Sequence, residues 1–278
     1  METRRMCSNC RAFIKTSDRV CPYCEVRVGP RAIDVREPRA ILGGFIPHAH
    51  FTTSIILLLN FGLFAATVVS SMRAGHSDAF FGIDGRTLLD FGATRRWEIL
   101  GLGEWWRLVA AGFLHGGIIH IAMNSWVMFD LGAQVEEIYG NARFMVIYFL
   151  ATVGGFFASM LWSSNSTSVG ASAGLCGLIG AMLALGVRNR TATGAAIRGM
   201  YTRWIVYLLV FGVVMPGIDN AAHIGGLAAG FAMGFVAGTP KLTNTWGERF
   251  WRAASYVCLA LTAYSFLQMY LWLSHTAG

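Results

Sequence analysis

A serine and a histidine stand near the starts of two long apolar segments of this chain. Ser172 lies four residues after Ser168, and His223 lies four residues after Asp219. If both segments are membrane helices that begin at the outer face, each side chain lies about 6 Å along its helix. A serine hydroxyl can act as a nucleophile when an imidazole accepts its proton. The pairing predicts hydrolysis of peptide bonds inside or beside a lipid bilayer.

Small residues follow both positions at helical spacing. Ser172 alone is better explained by helix packing, because small residues let membrane helices approach each other closely. A ridge follows His223, and the segment that holds Ser172 has a small face of its own, so we expect the two faces to meet. The residues are Gly226, Gly230 and Gly234 in one segment, and Gly170, Gly174, Gly177 and Ala181 in the other.

Asp219 has two possible roles. One turn before His223, it could orient the imidazole as the third member of a catalytic triad. An aspartate at a helix start also caps the unpaired amides of the first turn. We favour the cap, which leaves Ser172 and His223 as a dyad.

A third polar cluster contains His115, His120 and Asn124. His120 and Asn124 are four residues apart and share a helix face. Their donors suit an oxyanion hole, where one donor typically contributes about 3 kcal/mol to the transition state. Zinc binding is the alternative, but no His-Glu-x-x-His pattern and no intervening carboxylate is present.

The cysteines fall into two groups. Two C-x-x-C pairs near the N-terminus predict a structural zinc site, because about thirty residues cannot build a core alone. Disulfides or a redox pair are the alternative, which a reducing compartment disfavours. Cys176 and Cys258 lie inside apolar segments and are expected to fill space. The four predicted zinc ligands are Cys7, Cys10, Cys21 and Cys24.

Composition places the chain in a membrane. Hydrophobic residues make up 55% of the 278 residues and charged residues 13%, against about 25% charged in soluble domains. The net charge of +7 reflects basic loops rather than nucleic-acid binding. We predict an all-α bundle of seven spans after a zinc-ribbon unit (1–30) and a linker (31–51). The predicted spans are 52–72, 117–136, 143–162, 169–187, 204–218, 219–238 and 250–273.

Basic loops predict the orientation. Loop 188–203 holds Arg188, Arg190, Arg198 and Arg203, and loop 239–252 holds Lys241, Arg249 and Arg252. Such loops stay in the cytoplasm, so the N-terminus is expected there and the serine near the outer face. The N-terminal region does not have the pattern of a cleavable signal peptide. The small size and lack of an organelle presequence favour a bacterial plasma membrane.

These motifs together resemble the rhomboid family of intramembrane serine proteases over about residues 52–240. Ala173 stands where the family commonly has glycine after the serine. The last helix resembles the extra span of the six-plus-one subgroup, which divides the membrane part into a core (52–240) and an extra helix (241–278). The matching residues are Trp106 and Arg107, His115, His120 and Asn124, Gly170-Ala171-Ser172, and Ala222-His223-Ile224-Gly225-Gly226.

The resemblance implies a serine endopeptidase that needs no catalytic cofactor. It implies that Ser172 is the nucleophile and His223 the base, and that Asn124, His120 and the Ser172 amide form the oxyanion hole. Trp106 and Arg107 would fix an outer loop, and the substrates would be single-span membrane proteins cut near the outer boundary. A catalytically inactive relative that binds or chaperones membrane clients is the alternative. A transporter is a third possibility, although no inverted repeat is evident.

Overall fold

The computed structural model describes residues 4–7, 9, 10, 12–15, 18–26, 28, 51–162, 167–215, 217–240 and 245–276. Contacts divide the chain into two units, Met1–Pro47 and His48–Gly278. The predicted linker, 31–51, lies outside the described residues except for Phe51. The boundaries predicted at residues 30 and 51 therefore stay predictions.

The N-terminal unit is a small cysteine-rich hairpin. Strands β1 (Arg4–Met6) and β2 (Phe13–Lys15) pair antiparallel. Among the described residues of this unit, the buried apolar cluster is Cys7, Ile14, Cys21 and Val28. A cluster this small gives little hydrophobic stabilisation, so a further cross-link is expected for this unit.

The second unit is helical. A 3₁₀ turn at Ala111–Phe113 follows α4, and a π-helical turn at Met128–Gly132 joins α5 to α6. The helices are α1 (Phe51–Arg73), α2 (Gly85–Asp90), α3 (Arg96–Leu100), α4 (Arg107–Ala110), α5 (Ile118–Val127), α6 (Ala133–Trp162), α7 (Ser172–Arg188), α8 (Ala192–Val214), α9 (Asn220–Ala237) and α10 (Trp246–Thr276).

Five helical segments among the described residues are long and apolar enough to cross a membrane. One of them, Ile118–Trp162, covers two predicted spans, which separate at Gly140, where φ is +72°. The shorter apolar helix Ser172–Arg188 corresponds to the fourth predicted span. Each predicted span thus has a helix, and the all-α multi-pass fold is confirmed.

The predicted bounds of the fifth span are wrong. Helix α8 runs from Ala192 to Val214, so most of the predicted basic loop 188–203 is helical. Thr191 caps the helix by accepting a hydrogen bond from the Gly194 amide at 3.3 Å. Hydrophobicity alone did not reveal the first turns of α8, because these turns contain arginines. An arginine on the surface of a helix does not end the helix.

A buried carboxylate fixes the start of α1. Glu136 accepts hydrogen bonds from the amides of Thr52 (2.8 Å) and Thr53 (2.9 Å) and from the Thr53 hydroxyl (2.7 Å). The first amides of a helix have no partner within it. Glu136 therefore accepts hydrogen bonds from these amides although it lies on another helix. The same hydrogen bonds offset the cost of burying its carboxylate.

Helices α7 and α9 pack through glycine. A Cβ on Gly230 would lie 2.0 Å from the Gly177 carbonyl oxygen, and one on Gly234 would lie 2.6 Å from Ala181 Cα. The predicted contact of the two ridges is confirmed for these residues. It is wrong for Gly174, which faces Tyr148 on α6 because the small face of α7 is shared between two neighbours. It is also wrong for Gly170, which precedes α7 and lies against His120.

Candidate active site

Ser172 is the first residue of α7. The preceding turn is held by Gly170, which has a φ of +127° and whose amide donates to the Ala111 carbonyl at 2.9 Å. Residues with this φ are almost always glycine, because a Cβ is strained there. The prediction that Ser172 lies a turn inside its helix is therefore wrong: the residues from Ser168 to Ala171 precede the helix rather than begin it.

His223 faces Ser172 from the first turn of α9. Its Nε2 lies 2.9 Å from Ser172 Oγ. Asp219 caps α9 by accepting from the Ala222 amide at 2.9 Å, and its second oxygen accepts from the Ser159 hydroxyl. The cap predicted for Asp219 is confirmed. Both carboxylate oxygens of Asp219 thus accept hydrogen bonds from groups other than the His223 imidazole.

The imidazole of His223 has no carboxylate partner among the described residues. Its Nδ1 is buried and has no hydrogen-bond partner there. For Nε2 to accept the serine proton, the neutral ring must carry its own proton on Nδ1. The arrangement is thus a serine–histidine dyad.

His120 and Asn124 lie beside the turn that leads into Ser172. A Cβ on Gly170 would be 2.7 Å from His120 Nε2 and 3.5 Å from Asn124 Nδ2. The Gly116 amide donates to His120 Nδ1 at 3.4 Å, so the neutral ring carries its proton on Nε2. Asn124 is only 7% exposed, and its Nδ2 has no partner among the described residues. Two N–H donors therefore lie near the serine turn.

The helix start supplies the third donor that the resemblance implied, the backbone amide of Ser172. Because Ser172 is the first residue of α7, its amide has no carbonyl partner within that helix. The positive end of the helix dipole also favours negative charge at this point.

His115 is fully buried, and its ring meets that of His120 edge-on with centroids 5.2 Å apart. In the part of the chain that the structure describes, the two histidines have no third His, Cys, Asp or Glu near enough to share a metal ion. The geometry therefore favours hydrogen-bond donors over the zinc interpretation.

Trp106 and Arg107 lie between α1 and α5, in residues 74–117. We call these residues the outer segment, after the outer loop that the resemblance implies. Arg107 is 1% exposed and pairs with Glu104. Its guanidinium donates to the carbonyls of Leu89 and Ala93 and lies over the Trp106 ring. A buried arginine is stable only when its donors are satisfied, and here it holds three parts of the segment together.

The four N-terminal cysteines converge. Their sulfur atoms all lie within 4.8 Å of one another, and both the Cys7–Cys24 and the Cys10–Cys21 pairs are 3.7 Å apart. Four sulfurs at 2.3 Å around a tetrahedral Zn²⁺ are about 3.8 Å apart. The separations fit a metal and are too long for disulfides.

Backbone amides favour the thiolate form of two of these cysteines. The Cys10 and Asn9 amides lower the pKa of Cys7. The Val26 amide is the main cause that lowers the pKa of Cys24 to about 6. For Cys10, the Ala12 amide lowers the pKa, but burial and the neighbouring cysteine side chains raise it to about 12. Thiolates are the form that binds metal. By contrast, Cys176 and Cys258 are buried thiols in the helical unit, as predicted.

Known proteins match most of the helical unit. Residues 102–240 match the sequence profile of the Rhomboid domain. The chain is 37% identical to Rhomboid protease GluP of Bacillus subtilis over 63% of its own length and 34% of GluP. It is 34% identical to RHOMBOID-like protein 6, mitochondrial, of Arabidopsis thaliana, over 73% of this chain and 66% of that one.

A further relative is matched over most of its length. Rhomboid-like protease 2 of Toxoplasma gondii is 30% identical over 77% of this chain and 76% of its own. The chain spans only about a third of GluP, so the activity of that whole protein is not transferred with the match. The multi-pass helical fold, the profile match and these relatives agree with the resemblance of the sequence motifs. The chain belongs to the rhomboid family.

Proposed function

We propose that this chain is a serine endopeptidase that cuts transmembrane proteins through a Ser172–His223 dyad. The observation that carries the proposal is the 2.9 Å separation of Ser172 Oγ and His223 Nε2. That separation lies within the range for a nucleophile and its base. The position of Ser172 at a helix start supports the same function, because charge develops there during acyl transfer.

The reaction follows from the geometry. His223 Nε2 accepts the proton of Ser172 as Oγ attacks the substrate carbonyl carbon. The oxyanion is stabilised by the Ser172 amide, His120 Nε2–H and Asn124 Nδ2–H. His223 then gives its proton to the leaving amine, which leaves an acyl-enzyme. A water molecule loses a proton to His223 and attacks the ester carbonyl carbon. His223 returns this proton to Ser172 Oγ as the ester bond breaks, which releases the acid and restores Ser172.

The substrates are proposed to be single-span membrane proteins. A peptide bond inside a helix must lose helical hydrogen bonds before it can be attacked, which is costly in lipid. Ser172 and His223 lie at the starts of α7 and α9, so the site is near one membrane boundary. We therefore expect cleavage where the substrate helix is weak and close to that boundary.

We propose that this boundary is the outer one and that the N-terminus is cytoplasmic. Arg188 ends α7, at the opposite end from Ser172, and Arg198 and Arg203 lie on the first half of α8. Arg249 and Arg252 lie in the first turns of α10. Basic residues are retained on the cytoplasmic side. The membrane is proposed to be a bacterial plasma membrane.

Labelling with a fluorophosphonate in liposomes tests the dyad. The unchanged chain should be labelled at Ser172, and Ser172→Ala and His223→Ala should not be labelled and should not cut a single-span reporter. Ser255→Ala is a matched control, since Ser255 is also a buried helix serine and bonds to its own helix at Arg252. Retention of cleavage by Ser172→Ala would contradict the proposal. Client binding without cleavage by the unchanged chain would favour the inactive relative.

We also propose that residues 1–30 fold around one structural zinc ion held by Cys7, Cys10, Cys21 and Cys24. The support is the separation of the sulfur atoms, which suits tetrahedral coordination. The ion would stabilise the hairpin and has no part in the proposed peptide-bond chemistry.

A further inference from the structure

The last helix, α10, contacts the outer segment through a hydroxyl. Ser265 is 1% exposed, and its Oγ donates to the Trp106 carbonyl at 2.8 Å. The next residue, Phe266, packs edge-on against Phe113 with centroids 5.0 Å apart. Met269, one turn later, joins the apolar cluster of the outer segment.

The hydroxyl of Ser265 differs from the three other serine and threonine hydroxyls that the structure describes on α10. Ser255, Thr262 and Ser274 donate to carbonyls of α10 itself, at Arg252, Cys258 and Leu271. Serine and threonine hydroxyls in helices commonly donate to a carbonyl of their own helix in this way. Ser265 instead donates to a carbonyl outside α10, that of Trp106. A helix that only anchored the chain in lipid would not need such a bond.

A second contact lies two turns further along α10. The ring of Trp272 lies 5.7 Å from the Arg107 guanidinium carbon, and the ring of Trp106 lies 4.8 Å from it. A desolvated guanidinium over an indole ring is attracted to the ring face. Trp272 and Ser265 therefore hold the adjacent residues Arg107 and Trp106 from one helix.

The outer segment in turn holds the residues before the nucleophile. Arg107 donates to the Ala93 carbonyl at 3.2 Å. Next to Ala93, Thr94 forms an antiparallel bridge with Ser168 through two backbone hydrogen bonds of 3.0 Å. The Ala111 carbonyl accepts the Gly170 amide at 2.9 Å. Contacts thus run without a break from α10 to the turn that presents Ser172.

We propose that Ser265, assisted by Trp272, is a positioning residue for the active site. It holds the Trp106–Arg107 turn, which fixes the 168–172 segment and with it the amide and hydroxyl of Ser172. This inference rests on the proposed function, because the consequence it assigns to Ser265 is the rate of acyl transfer. The α10 helix is then part of the catalytic architecture rather than an added anchor.

The test measures labelling and turnover in Ser265→Ala, Ser265→Thr and Ser255→Ala. Loss of one neutral hydrogen bond should slow fluorophosphonate labelling and lower kcat by about two- to tenfold. KM should not change, because Ser265 does not touch the substrate. Ser265→Thr keeps the hydroxyl and should restore the rate, and Ser255→Ala should match the unchanged chain.

Amide hydrogen exchange separates this inference from the proposed function. In a Ser172→Ala background, Ser265→Ala should speed exchange in residues 89–113, and Ser255→Ala should not. If the unchanged chain is never labelled, the proposed function fails, yet the exchange result still decides whether Ser265 holds the segment. Equal labelling rates or equal exchange for Ser265→Ala and Ser255→Ala would overturn the inference.

A second variant covers the case in which Ser265→Ala does not fold. Trp272→Leu removes the ring face over Arg107 but keeps an apolar side chain, and Tyr270→Leu is the lipid-facing control, since Tyr270 is 67% exposed. Labelling should slow by about two- to fivefold in Trp272→Leu only. The same rate in both variants would count against the role of α10.

Discussion

Gly226 and Ala173 are in backbone contact: a Cβ on Gly226 would lie 2.1 Å from the Ala173 carbonyl oxygen. Ala173 directly follows Ser172, and Gly226 lies almost one turn after His223. The contact therefore sets the separation of α7 and α9 at the level of the dyad. Without a glycine here, Ser172 Oγ and His223 Nε2 would not reach 2.9 Å.

Gly226→Ala should abolish labelling of Ser172. A methyl group at this position must push α9 away from α7, since the atom it meets is backbone, and such overpacking costs about 1–3 kcal/mol. The measurement combines fluorophosphonate labelling with thermal unfolding in detergent. Gly62→Ala on α1 is the control, because a Cβ there meets nothing within 4 Å. Full labelling of Gly226→Ala would contradict the role given to this contact.

The same contact shows what the sequence could and could not predict. The spacing of Gly226, Gly230 and Gly234 predicted a close helix pair, because such a ridge depends only on the helical period. It could not show that Gly174 faces α6, since that depends on how three helices share one small face. The contact between Ser172 and His223 was predictable from these ridges and from the similar distance of both residues from the starts of their apolar segments.

The start of α7 was less predictable. Apolar residues before Ser172 extend the hydrophobic pattern, so the predicted span begins at 169, but the helix begins at Ser172. The reason is the turn at Gly170, whose φ of +127° ends the preceding extended segment. The support given by α10 was also hidden, because it depends on contacts between residues 159 positions apart.

Asn124→Ala and His120→Ala should each lower kcat by about 10²- to 10³-fold, because each removes one N–H donor for the oxyanion. KM should change little, since the donors act mainly in the transition state. Steady-state cleavage of a reporter in liposomes gives both constants. The control is Met123→Ala on the same helix, at a side chain that is 51% exposed. A rise in KM alone would instead indicate a role in substrate binding.

Arg143→Ala should destabilise the fold by about 3–5 kcal/mol, because it removes the buried guanidinium that binds a partly buried carboxylate. Arg143 donates to both oxygens of Glu248, at 2.7 and 2.8 Å, and joins α6 to the first turns of α10. Thermal unfolding in detergent measures the loss. Arg143→Lys should restore only part of it, because lysine cannot make the two parallel bonds. Arg249→Ala, at an exposed position of α10, is the control.

The hydrogen bonds of Asp84 predict that the folded protein loses stability in acid. Burial raises the pKa of Asp84, but hydrogen bonds from Thr87 and Ser71 outweigh it and lower the pKa to about 2. Since the folded pKa lies below the unfolded one, the stabilisation is full above about pH 4 and disappears as the pH falls through 2. The contribution is about 2 kcal/mol.

Unfolding of the purified chain between pH 2 and 5 measures this effect. Asp84→Asn keeps an acceptor for the Thr87 amide but cannot titrate, so its stability should depend less on pH than that of the unchanged chain. Asp78→Asn changes an exposed carboxylate in the same segment and is the control. Parallel pH curves for Asp84→Asn and the unchanged chain would refute the assignment.

Zinc removal should unfold the N-terminal unit and leave the proposed chemistry intact. Metal analysis of the purified chain should find one zinc ion, and Cys10→Ser should lose it, because three thiolates hold the ion less tightly. Cys258→Ser should keep it, since Cys258 lies in the helical unit. After chelation, hydrogen exchange should rise in residues 4–28 while fluorophosphonate labelling of Ser172 continues at its former rate. Parallel loss of labelling would mean that the ion supports the active site as well as the hairpin.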